Sequence, residues 1–188
     1  MATTRGSGNG DRKRRKPTER IRLDEVDLKV LKELVRDPRV SQRALARAIG
    51  MSAPAVADRI ARLEAAGVIK GYRAELDWAA LGHPMTVVVD VLSDRSSTQL
   101  ALAKKLADFP EIERIDVLTG GKDLQIRFHV RDQDHLNEVL FDRLMKASPE
   151  ILRTETQLAL ITIEPPDFSE RVLQGLLEEM EAEQTDAG

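Results

Sequence analysis

Residues 41–71, SQRALARAIGMSAPAVADRIARLEAAGVIKG, constrain this chain more than any other stretch, because two helix starts follow each other with only a glycine turn between them. Ser41 is a good N-cap, Leu45, Ala48 and Ile49 recur at helical spacing, and Gly50 supplies the left-handed residue that ends a first helix. Ser52 caps a second helix at once. Pro54 falls in its first turn, where a missing N–H is harmless, and Val56, Ile60 and Leu63 form its inward stripe. Val40 with Leu45, and Met51 with Val56, are apolar pairs spaced to fix how the chain enters each helix. Two such short helices cannot bury themselves, so a third must pack on them. Residues 23–37 provide it: Asp24 caps, Leu28, Leu31, Leu34 and Val35 face inward, and Asp37-Pro38 ends it. The predicted unit is a helix-turn-helix, residues 21–71.

Charge is distributed to match. Residues 1–72 carry 17 Lys and Arg against 9 Asp and Glu, whereas residues 73–188 carry 12 against 23. A basic front half and an acidic back half suit a chain that meets phosphate at one end only. Residues 1–20 have no apolar pattern and contain Arg12, Lys13, Arg14, Arg15 and Lys16 in succession, which reads as a disordered basic arm placed to touch phosphate or a minor groove. The absence of cysteine excludes disulfides, thiol catalysis and a Cys-based zinc site, and no apolar run approaches a membrane span. A cytoplasmic, nucleoid-associated location is the expectation, with no metal and no cofactor.

Beyond the helix-turn-helix, residues 67–72 read as a helix stop and short strand. Residues 72–83 form a hinge strand and linker that ends at Gly82-His83-Pro84. Residues 85–92, 112–119, 124–130 and 155–163 read as strands, and 98–109 and 133–147 as helices. The order β-α-β-β-α-β across residues 84–165 is the ferredoxin-like split arrangement, two helices on one face of an antiparallel sheet, so the chain is assigned to the α+β class. The last strand offers Leu158 and Leu160 to one face and Ala159, Ile161 and Ile163 to the other, which points to a second copy of the chain as partner. Residues 166–188 make an acidic amphipathic helix and tail, expected to dock on its own protein rather than on a separate partner.

LDEVDLKVLKEL at residue 23, MSAPAVADRIARLEAAGVIKGYRAELD at residue 51 and VLTGGKDLQIRFHV at residue 117 stand in an order that resembles the Lrp/AsnC family of transcription regulators, over roughly residues 23–164. The resemblance implies a winged-helix-like DNA-binding domain, a hinge, and a C-terminal domain that dimerises, assembles to octamers or similar rings, and senses an amino acid or related small molecule. It also implies that Thr119, Gly120, Gly121, Lys122 and Asp123 form the effector loop, with Thr154 and Thr156 contributing from the last strand. A glycine turn exposes N–H groups to a carboxylate, and an aspartate can take an ammonium. Lys122 stands where family members often carry Tyr or Phe, which turns the expectation away from a leucine-like side chain toward an acidic ligand or none.

On double-stranded DNA, Ser41 and Ser52 at helix N-termini would meet phosphate, and Ala53, Pro54, Ala57, Asp58, Ala61 and Arg62 would form the outward face of the reading helix. Arg59 lies at the flank of the buried stripe, open to an internal ion pair or a DNA contact. Few donors on this face predict a degenerate, partly palindromic site supplemented by bending and multiple half-sites. Two alternatives stand beside the regulator. One is a nucleoid-like architectural protein of low sequence preference. The other is an enzyme resembling siroheme decarboxylases, which share the two-domain build and use His and Arg on a tetrapyrrole. His83, His129 and His135 show no catalytic arrangement, so no enzyme activity is expected.

Overall fold

The computed structural model describes residues 21–94 and 96–186. They divide into two compact units, one made of the residues up to Arg73 together with those from Pro165 onward, the other Ala74–Glu164.

The first unit is helical. α1 (Glu25–Arg36) starts at an all-acidic capping box: Asp24 Oδ1 accepts the Asp27 N–H at 2.7 Å, and Asp27 Oδ2 accepts the Asp24 N–H at 3.0 Å. α2 (Gln42–Ile49) and α3 (Ala53–Ala65) start at Ser41 and Ser52, whose hydroxyls accept from Ala44 and Ala55 N–H, and Gly50 between them has φ of 72°. Leu28, Val30, Leu31, Leu34, Leu45, Val56 and Leu63 form the core, with Val68 and Ile69 packed beneath.

A fourth helix completes it. α6 (Phe168–Asp186) buries Leu177 in the same core and packs Leu173 and Met180 against it, while Lys32 Nζ donates to Gln174 Oε1 at 2.7 Å and Arg36 pairs with Glu170. The acidic tail helix, read from sequence as a segment of its own, is therefore part of the helix-turn-helix unit. The residues that dock it are spaced 173, 177 and 180, one stripe of the helix.

The second unit is a four-stranded antiparallel sheet in the order β2-β3-β1-β4, built from β1 (Met85–Ser93), β2 (Ile112–Val117), β3 (Leu124–Val130) and β4 (Ile151–Ala159). α4 (Gln99–Leu106) follows β1. α5 (Gln133–Asn137) follows β3 and continues as a π-helix over Glu138–Met145. Val87, Val89 and Val91 of β1 and Leu124, Ile126, Phe128 and Val130 of β3 face these helices and are buried against Leu102, Leu106, Val139 and Leu144. The opposite face is polar. Gln125 Nε2 donates to Asp90 Oδ1 at 2.9 Å across it, as the period-two alternation of β3 requires.

Two sequence expectations are corrected here. Residues 71–77 form no strand, since nothing among the described residues pairs with them, and a turn closed by Asp77 Oδ1 on the Ala80 N–H follows. The last strand covers 151–159 rather than 155–163. Its ladder with β1 ends at Thr86↔Ala159, one residue from the start of β1, so the chain beyond has no edge to follow. Leu160, Ile161 and Ile163 consequently lie outside the sheet, 94%, 80% and 84% exposed, instead of dividing between its faces.

Candidate nucleic-acid interface and effector cleft

On α3 the buried stripe is Val56 and Leu63 with Ile60 partly buried, which leaves Pro54, Asp58, Ala61 and Arg62 exposed and Ala57 half-buried. Ser41 and Ser52 are also exposed, each at a helix N-terminus with its hydroxyl already serving as the cap. Ala53, expected on the outward face, packs against the core instead, because the first turn of α3 sits over it. The run Arg12–Lys16 lies outside the described residues.

Both arginines of α3 turn back to α1. Arg59 Nη1 donates to Asp24 at 2.7 and 2.9 Å and to Asp27 Oδ1 at 2.7 Å, and Arg62 Nη2 pairs with Asp27 as well. Asp27 has no exposed surface, whereas the Arg62 side chain is 46% exposed. Burial alone would raise the Asp27 carboxyl. The Asp24 backbone N–H, then Arg62 and Arg59, outweigh burial and hold it below the usual carboxylate value. The reading helix is thus clamped to α1 through one buried carboxylate, and its outward face is left with few free donors.

In the second unit the turn after β2 is pinned from inside. The Asp123 N–H donates to Val91 O at 2.8 Å, and Asp123 O accepts the Leu118 N–H at 2.9 Å. The Asp123 carboxylate is fully buried. Oδ2 accepts from the Ser93 N–H at 2.8 Å and the Ser93 hydroxyl at 2.9 Å, and Oδ1 accepts from Gln99 Nε2 at 2.6 Å. Its place is therefore that of a brace under the loop rather than a group waiting for an ammonium. Gly120 has φ of 111°, a conformation that suits glycine.

Lys122 pairs with Glu155, and that hydrogen bond and charge lower the Glu155 carboxyl. Glu155 shares the polar sheet face with Asp90, while Thr154 and Thr156 oppose Val91 and Val89 on the other face, so the structure does not bring these threonines to Lys122. What gathers at the turn is a different set. Thr119 and Gly120 share an open cleft of about 640 Å³ with Leu118 and with Ser96, Ser97, Thr98 and Gln99 from the start of α4. The sequence reading missed that SSTQ run. Its signal was a cluster of hydroxyls directly before a helix, of which Thr98 is the N-cap.

The helix-turn-helix residues 23–70 match the model for winged helix-turn-helix DNA-binding domains, and residues 86–166 match that of the Lrp/AsnC ligand binding domain. The regulator LrpC of Bacillus subtilis is 41% identical over 129 residues, 69% of this chain and 86% of LrpC. The chain belongs to the Lrp/AsnC family of transcription regulators. Within that family, the leucine-responsive regulatory protein of Rhizobium meliloti is 37% identical over 110 residues, 57% of this chain and 70% of that protein. The solved leucine response regulatory protein LrpA of Mycobacterium tuberculosis superposes with a TM-score of 0.68 at 29% identity, covering 77% of this chain and 97% of LrpA. An Lrp/AsnC chain is a DNA-binding regulator with a ligand-binding domain, not an enzyme. Both family models stop before α6. Among the described residues no His, Asp and Glu cluster could hold a metal ion, and no helix is long and apolar enough to cross a membrane.

Proposed function

We propose that this Lrp/AsnC protein acts on cytoplasmic DNA as a homodimer or larger ring, reads a degenerate palindromic site with α3, and couples that binding to an amino acid or similar effector held at the cleft beside residues 118–120. Support for dimerisation is the apolar run that β4 leaves unpartnered, Leu158, Leu160, Ile161 and Ile163. The cleft suits a zwitterion. Ser96, Ser97 and Thr98 at the start of α4 line it and would offer hydroxyls to a ligand carboxylate, with the glycine turn supplying backbone groups. The observation that carries the reading is the pairing of an exposed α3 face with a separate, braced cleft in one chain. Affinity for upstream DNA is measured with and without each of the amino acids. A reproducible shift with at least one supports the reading; binding that none of them alters refutes the sensing half.

A second reading has its own observation. Because Arg59 and Arg62 are tied to Asp24 and Asp27, the α3 face is donor-poor, which favours low-specificity, architectural binding. Equal affinity for upstream and shuffled duplexes selects it.

A further inference from the structure

All three histidines of the chain line one half-enclosed cavity of about 360 Å³ at the end of the sheet away from the 118–123 turn, separated from it by the length of β3, roughly 20 Å. Nothing in the Lrp/AsnC reading uses this cavity. From its geometry we infer that it is a second small-molecule site, one that takes a compact organic carboxylate with an aromatic or branched apolar body.

The charges decide the sign of the ligand. Each carboxylate in the wall has a basic partner: Glu113 Oε2 accepts from His129 Nε2 at 3.0 Å, and Glu111 pairs with Arg143 through Oε1, while its Oε2 is buried with no hydrogen-bond partner among the described residues. Against them stands the guanidinium of Arg131, exposed and without a partner among the described residues. The hydrogen bonds also fix what the histidines offer. His135 Nδ1 accepts the Arg131 N–H at 3.2 Å, so the proton of its neutral ring is on Nε2, a donor with no protein partner among the described residues. A guanidinium and an imidazole N–H at one mouth are the donor set for a carboxylate.

The body of the ligand is set by the apolar wall. Trp78 stacks on His129, with centroids 5.2 Å apart and planes 19° from parallel, and Ile112 and Pro110 continue the surface. A flat or branched hydrocarbon group packs there, and the volume falls at the small end of ligand cavities. Trp78 and His83 belong to residues 74–84, the segment that leads into β1 from the helix-turn-helix, so a bound acid would touch that segment directly.

Trp78 is the chain's single tryptophan, which makes the test direct. The full-length protein is titrated with phenylacetate and with uncharged phenylacetamide while tryptophan emission is recorded. Saturable change with the acid, at least about tenfold tighter than with the amide, and a loss of about tenfold or more in Arg131→Gln are expected. Arg131 is exposed, so Arg131→Gln folds as wild type, and an unchanged thermal melt checks this. His83→Gln, on the linker side, should also weaken binding. No saturable change, equal binding of acid and amide, or an Arg131→Gln curve identical to wild type would overturn the assignment.

Discussion

Asp27→Asn removes one negative charge and almost no volume, and it strikes the buried carboxylate on which α3 is anchored. In the native unit Asp27 accepts from the Asp24 N–H, Arg59 and Arg62. An isolated loss of a buried partner costs about 3–5 kcal/mol. Here the cost is reduced, because Arg59 keeps Asp24 and the half-exposed Arg62 side chain returns to water. Two charge-assisted bonds at about 1–1.5 kcal/mol each leave an expected destabilisation of about 2–3 kcal/mol, a fall of roughly 1–2 M in the urea midpoint. Ellipticity is the signal to follow, since the first unit is all helix and the one tryptophan lies in the other unit. The pH dependence supplies the stricter check. The folded pKa of Asp27 is depressed below its ordinary 3.8, so its stabilisation is complete above that value and is lost as pH falls through the lower, folded value. The gap between wild type and variant should be full at neutral pH and shrink in acid. A variant as stable as wild type at neutral pH, or a gap that stays constant into acid, refutes the clamp. Because Arg62 is freed, affinity for a shuffled duplex should also rise, with a steeper salt dependence.

Three further outcomes are expected. Leu177→Ala, which hollows the junction of α6 and α1, should lower the stability of the first unit by about 2–4 kcal/mol in urea unfolding followed by ellipticity, whereas a freely hanging tail helix would show no change. Asp123→Ala leaves Ser93 and Gln99 unpaired and should destabilise the sheet unit by about 1–3 kcal/mol, read from Trp78 emission during unfolding; full stability would return Asp123 to the role of a free ligand group. Lys122→Met should return the Glu155 carboxyl upward to its ordinary range in an NMR titration, and a titration that does not move would show that Lys122 is not what depresses it.

The helices were legible because their ends are written locally. Asp24, Ser41 and Ser52 each announce a start, and Gly50 a stop, within a few residues of the groups they bond. The core strands were legible for the same reason: Leu124 to Val130 alternates cleanly with Gln125, Arg127 and His129. What could not be read depends on pairing between distant segments. The end of β4 is set by where β1 begins, which no pattern within residues 155–163 contains. That α6 docks on its own chain was legible, but the place where it docks rests on contacts to Lys32 and Arg36, more than a hundred residues earlier. At the cleft, Asp123 looked like a free acid because its partners Ser93 and Gln99 come from other elements, and the same distance hid Ser96 and Ser97 as neighbours of Gly120. The gathering of His83, His129 and His135 was equally invisible, since one comes from a linker, one from a strand and one from a helix.

The central claim is that α3 presents a sequence-reading face. It is tested most directly by fluorescence anisotropy of the full-length protein on its own upstream DNA and on a shuffled duplex, at two salt concentrations. The account predicts tighter binding to the upstream DNA at both. Equal binding to the two duplexes that disappears with salt would contradict it.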